Sequence, residues 1–149
     1  MVDANFANDP EAAHIVLQSG ADITLVGMDV TMTTLFSTKM IDEVARDGDE
    51  AAKTLMRMTK FYVKAYTSMH PGIAGCGPHD PLAVAVAEDP SLARTERMFV
   101  DVELHGELTR GQTIADRRLT AVALHNAAVC MDVDRPRFLA NFLAAIKGR

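Results

Sequence analysis

Apolar residues fall along this chain in short blocks whose period shifts between about 3.6 and about 2 residues, the repeats of helix and strand. The opening, Met1 to Asn8, is small and polar and reads as a loop. Asp9-Pro10-Glu11 then supplies a cap, a proline suited to the first helical position and an acidic first-turn residue. A helix is predicted from about Asp9 to Gln18, ended by Gly20. Ile23-Thr24-Leu25-Val26-Gly27-Met28 is β-branched and apolar without alternation, as expected of a buried parallel strand. The following Asp29-Val30-Thr31 reads first as a plain strand-to-helix turn. It also lies at the strand's carboxyl end, where open α/β sheets bind ligands. Ser37 caps a helix through Arg46, stopped by Gly48, and Asp49 caps a longer one to about Tyr66. On the second helix Ala52, Leu55, Met56, Thr59, Tyr62, Val63 and Tyr66 share the core face.

Past Pro90 the period changes. Met98, Val100, Val102 and Leu104 alternate with Phe99, Asp101, Glu103 and His105, a strand with one wet face. Gly106 and Gly111 flank a turn, and Thr113-Ile114-Ala115 can pair back as a second strand. Ala127 to Val133 makes a last strand, and Asp134 caps a closing helix that turns Phe138, Leu139, Phe142, Leu143 and Ile146 inward. Strands alternating with helices, then a strand pair and a helix, give an α/β class.

Composition narrows this picture. A length of 149 residues with 48% hydrophobic content and mean hydropathy +0.05 describes one folded domain, residues 1–149. A formal charge of −5, with basic residues gathered only at Arg94, Arg97 and Arg117-Arg118, argues against nucleic acid and for a neutral, polar small molecule. No leader-like or membrane-spanning apolar run occurs, so a cytoplasmic setting is expected, with Cys76 and Cys130 reduced. His105 and His125 read as surface or turn residues, and the spread methionines as core filling.

One stretch carries candidate chemistry: Gly75-Cys76-Gly77-Pro78-His79-Asp80-Pro81, opening into the apolar run Leu82 to Ala87. Glycine and proline shape a loop whose backbone passes close to something. Pro81 fits the first position of a helix, which places His79 and Asp80 at its N-terminus. Two readings stand side by side. Asp80 is a helix cap and His79 a polar loop residue, or Asp80 is a metal or hydroxyl ligand and His79 a proton donor.

This stretch resembles the carboxyl-terminal signature of the inosine-uridine-preferring nucleoside hydrolases, a His-Asp-Pro-Leu-Ala-Val-Ala run after a Gly/Pro loop. Three further segments resemble the family in order: Asn5-Phe6-Ala7-Asn8-Asp9-Pro10-Glu11-Ala12-Ala13, then Gly106 to Thr113 with Asp116-Arg117-Arg118, and Val129 to Phe142. The family's opening motif, Asp-x-Asp-Pro-Gly-x-Asp-Asp, does not occur, so the chain resembles the carboxyl-terminal half of a member. The resemblance implies part of a mostly parallel open sheet flanked by helices, and hydrolysis of a ribonucleoside's N-glycosidic bond with Ca²⁺ as cofactor. It gives Asp80 a metal-ligand role and His79 the task of assisting departure of the base. Asn5 matches an asparagine that binds ribose hydroxyls, Asp3 stands where many members have glutamate, and Tyr66 and His70 fall where the nucleobase is covered. It also implies a complementing amino-terminal half as partner, no membrane, and, from the apolar surface a half-domain exposes, homo-oligomerisation. The competing expectation is a non-catalytic remnant that persists as a binding or assembly module.

Overall fold

The computed structural model describes residues 3–118 and 124–147. In chain order the elements are α1 (Ala4–Asn8), α2 (Pro10–Leu17), β1 (Ile23–Leu25), α3 (Met28–Thr31), β2 (Phe36–Ser37), α4 (Thr38–Asp47), α5 (Glu50–Met69), β3 (Gly75–Cys76) and α6 (His79–Glu88). A 3₁₀ turn (Pro90–Leu92), β4 (Ala93–Val102), β5 (Thr113–Asp116), β6 (Ala127–Val133) and α7 (Arg135–Ile146) complete them. The caps act as their sequence requires: Asp9, Ser37, Asp49 and Asp134 each accept a backbone N–H from the first turn of the helix they open. Among the described residues no helix is long and apolar enough to cross a membrane.

The chain forms two compact units, Met1–Met28 with Arg94–Asp132, and Asp29–Ala93 with Val133–Arg149. The first holds a four-stranded sheet in the order β1-β6-β4-β5. Strand β1 runs parallel to β6 with Thr24 opposite Ala128, and β4 runs antiparallel to β5 with Val100 opposite Ala115. The sheet is therefore mixed, where a mostly parallel one was expected. The reason is local, because the turn from His105 to Gln112 is too short for a crossover and lets β5 only fold back. Alternation along β4 buries Met98, Val100 and Val102 with Leu17 and Ala127.

Asn126, just before β6, ties this unit together. Its side-chain oxygen accepts from the Val100 N–H at 2.8 Å, and its amide nitrogen donates to the carbonyls of Val100 and Leu17 at 2.8 and 3.1 Å. Replacing it with alanine strands three backbone groups. The expected result for Asn126→Ala is a stability loss of about 1–3 kcal/mol, read from urea midpoints.

The second unit packs α4, α5, the β2–β3 ribbon and α7 around Phe36, Ile41, Val44, Ala52, Met56, Val63, Tyr66 and Cys76. Ribbon strands β2 and β3 are antiparallel, with Phe36 opposite Cys76 and Ser37 opposite Gly75. A Cβ at Gly75 would strike the Phe36 carbonyl, so only glycine permits this approach. Phe138 is buried and stacks on Phe142, whose ring meets Phe36 edge-on at 5.4 Å.

Several expectations are corrected. Residues 4–8 are helical, not loop, because Asp3 accepts the Asn5 N–H and opens α1. Asp29-Val30-Thr31 is a helical turn, and the strand expected over 23–28 is paired only through Leu25. Helix α5 runs to Met69, beyond Tyr66, and leaves Leu55 and Tyr62 43% and 45% exposed.

Candidate active site

The Gly/Pro loop ends at Pro78, and α6 begins one residue later, at His79. This corrects the expectation that Asp80 caps the helix with Pro81 in first place. Pro78 holds the cap position with no side-chain hydrogen bond, so Asp80 sits inside the first turn. Its carboxylate is exposed, and among the described residues it forms no hydrogen bond or ion pair. The capping reading of Asp80 therefore fails on geometry, and the side chain is free for a ligand.

His79 is held firmly. Its Nδ1 lies 2.6 Å from Oγ1 of Thr31, whose side chain is 1% exposed at the end of the turn following β1. On the other side Nε2 lies 3.4 Å from the Tyr66 hydroxyl, at the limit of hydrogen bonding. With the Thr31 hydroxyl donating to Nδ1, the proton of the neutral ring sits on Nε2. With the ring protonated, Nδ1 donates to Thr31 instead. Either way the imidazole has one oriented edge and one N–H to give.

Tyr66 forms the wall behind this ring. Its hydroxyl donates to Met32 Sδ, and its ring centroid lies 6.3 Å from that of His79 and 4.9 Å from that of His70. Burial raises the Tyr66 phenol above its ordinary value of 10.0, against a lowering backbone hydrogen bond from Gly77. The phenol is thus a donor throughout the neutral range. Tyr62, 5.6 Å away ring to ring, is raised too, by burial first and by Tyr66 next. Burial likewise raises the Cys76 thiol, which suits an inert loop filler.

Gly77 is the spacer that lets the imidazole lie flat against the loop. A Cβ there would fall 2.7 Å from Cε1 and 2.8 Å from Nε2 of His79. In Gly77→Ala the ring must leave Thr31, so the nitrogen-15 shifts of His79 should change while stability falls by about 1–3 kcal/mol. Unchanged ring shifts would show that the loop gives way instead.

A hollow of about 360 Å³ borders this cluster, lined by His79, Asp80, Tyr62, Cys76, Phe36 and Phe142. The second unit thus brings His79, Asp80, Tyr66 and His70 together. Asp3 and Asn5 belong to the first unit: Asp3 accepts the Asn5 N–H as the cap of α1, and the Asn5 side chain is exposed beside an apolar hollow. Sequence reading missed Thr31 as a partner of His79; its one signal was its place after a strand's carboxyl end. No group of three or more His, Cys, Asp or Glu among the described residues can hold a metal.

The first turn of α6 thus carries an oriented imidazole beside an exposed carboxylate. The family model of the inosine-uridine preferring nucleoside hydrolases matches residues 1–140, and the chain belongs to that family. It is 35% identical over 147 residues to the inosine-uridine preferring nucleoside hydrolase of Crithidia fasciculata, covering 99% of this chain and 46% of that protein. With the pyrimidine-specific ribonucleoside hydrolase of Citrobacter koseri it shares 30% identity over 135 residues, 91% of this chain and 43% of that protein. The purine-preferring ribonucleoside hydrolase of Gardnerella vaginalis superposes with a TM-score of 0.89 at 43% identity, over 99% of this chain and 46% of that one. The chain thus spans about half the length of the relatives it matches, corresponding to their carboxyl-terminal part.

Proposed function

We propose that this chain is the carboxyl-terminal portion of a calcium-dependent ribonucleoside hydrolase domain, cleaving the N-glycosidic bond to give ribose and a free base. The observation that carries this reading is the contrast between two adjacent residues: the His79 ring is oriented by buried Thr31, while the Asp80 carboxylate beside it is unused by the fold. Cleavage breaks the bond from the ribose anomeric carbon to a base nitrogen, and water adds to that carbon. The departing nitrogen carries negative charge unless it receives a proton, and His79 is the group built to give one. For the base, His70 offers a ring face with Tyr66 packed behind it, the Tyr66 hydroxyl being donated to Met32 Sδ, and Asn5 offers an amide for ribose hydroxyls. Asp3 would take part through the carboxylate oxygen that does not accept the Asn5 N–H.

Calcium takes about 6–8 oxygen ligands, and the described residues by themselves do not fit it. Asp80 would contribute one carboxylate, the other ligands coming from an amino-terminal half on the same or another polypeptide. When bound, the ion would anchor ribose hydroxyls and activate water.

The 149-residue chain should then bind calcium with a Kd weaker than about 10⁻³ M by calorimetry and release no ribose from inosine or uridine. Addition of a separately produced amino-terminal half should restore calcium-dependent ribose release. Robust turnover by the chain alone would remove the need for that half. A stable calcium-loaded complex without turnover would favour the alternative, a binding or assembly module.

A further inference from the structure

Met32 is core filling by residue type, and it does pack against the core of the second unit. Its sulfur has a further part. It ends a chain of polar groups that runs from Thr31 through His79 and Tyr66 to Met32, all within that one unit. Thr31 is 1% and Tyr66 3% exposed, so each hydroxyl depends on partners inside the fold.

The member of such a chain with the least choice sets the direction of the rest. A hydroxyl both gives and accepts, and a neutral imidazole has one N–H and one bare nitrogen, so Thr31, Tyr66 and His79 could each be wired in either direction. A thioether carries no proton and only accepts. The Tyr66 hydroxyl therefore donates to Met32 Sδ, which leaves its lone pairs for the imidazole edge. Nε2 of His79 lies 3.4 Å from that oxygen, and the N–H of Gly77, the residue packed against the same edge, gives to it as well. Lone pairs facing Nε2 suit an N–H there and oppose a bare nitrogen. At the other edge Thr31 Oγ1 is 2.6 Å from Nδ1, and among the described residues its hydroxyl meets no other acceptor. Both ends of the chain thus point the same way.

We infer that Met32 is a positioning residue for His79: by taking the Tyr66 hydroxyl proton on its sulfur, it keeps the proton of the neutral imidazole on Nε2. With a hydrocarbon in place of the sulfur, the buried Tyr66 hydroxyl turns to the next acceptor within reach, a bare Nε2. The ring proton then moves to Nδ1 and is given to the Thr31 oxygen. The separation of 3.4 Å matters too, because an N–H held so loosely is free to leave, whereas an Nε2 that accepts from Tyr66 has no proton to give. This consequence for turnover rests on the reading above, in which His79 gives a proton to the departing base. The tautomer rests on the geometry alone.

Nitrogen-15 spectra of the 149-residue chain, recorded with the ring neutral, read the tautomer directly, since protonated and bare ring nitrogens resonate far apart. In the unaltered chain the bare nitrogen should be Nδ1. Met32→Leu keeps the volume and removes the acceptor, and the tautomer ratio should move about fivefold or more toward Nδ1–H. Adding Tyr66→Phe to Met32→Leu should return the proton to Nε2, because the hydroxyl that displaced it is gone. A bare Nε2 in the unaltered chain, an unmoved ratio in Met32→Leu, or a shift that survives in the double variant overturns the assignment. The last of these would make Met32 a packing residue alone. If Met32→Leu does not fold, Tyr66→Phe by itself still decides: phenylalanine keeps the ring, so the Met32 methyl carbon signal should move while the proton stays on Nε2, and an unmoved methyl signal overturns the wiring. Ribose release, measured with the amino-terminal half present, is scored separately. A moved tautomer with unchanged turnover keeps the wiring and defeats the proton-donor reading of His79; lost turnover at an unmoved ratio defeats the wiring and leaves that reading standing.

Discussion

His79→Gln, assayed with the amino-terminal half present, should lower kcat on inosine by about 10²–10⁴-fold, the range that a positioned proton donor supplies. Glutamine keeps a hydrogen-bonding side chain of similar reach but cannot carry a proton onto the base. Thr31 is the proposed positioning partner, its Oγ1 lying 2.6 Å from Nδ1 of His79. Thr31→Val should therefore lower kcat by a smaller factor, about tenfold, and shift the pH profile rather than abolish it. Substrate chemistry gives an independent check, because a riboside with a nitrophenolate leaving group departs without a proton. His79→Gln should turn that compound over almost as fast as the unaltered chain does. An equal loss on both substrates would show that the imidazole holds the site together instead of serving the leaving group.

The fold was legible wherever a local rule and the tertiary environment agree. Asp9, Ser37, Asp49 and Asp134 cap helices, and the alternation from Met98 to Val102 is a half-buried strand, because short-range hydrogen bonds and one buried face settle those segments by themselves. Legibility failed where two local signals compete. At the amino terminus of α6, Asp-Pro is a sound capping pattern, yet Leu82 N–H bonds to the Pro78 carbonyl and draws His79 and Asp80 into the helix. That one-residue shift separates a consumed carboxylate from a free one, and residue type cannot reveal it. The hydroxyl that orients His79 was invisible for a different reason. Thr31 lies 48 positions away in sequence, and nothing in the spacing joins the turn after β1 to the loop before α6. The strand from Ile23 to Met28 teaches the converse lesson. Its composition describes a buried strand, yet pairing stops at Leu25 and the chain enters a helical turn at Met28.

Asp80→Asn decides between the two uses of that carboxylate. A lost helix cap costs about 1 kcal/mol, whereas an exposed residue that caps nothing changes stability by no more than about 0.5 kcal/mol. The geometry of α6 requires the second outcome, since Asp80 lies one residue past the start of the helix and holds no backbone N–H with its side chain. Its negative charge in the first turn adds only a small, salt-screened term. The urea midpoint of the chain should therefore hardly move. On the calcium reading proposed above, the same change in the assembled domain would replace a carboxylate ligand with a neutral amide, and calcium affinity with kcat/KM should fall about 10²-fold or more. Asparagine preserves size and one oxygen, so the loss reports charge rather than shape, and added calcium should recover part of it. A variant that loses stability yet keeps its calcium response would return Asp80 to the role of a helix terminator. Loss of the calcium response at unchanged stability would place it on the ion.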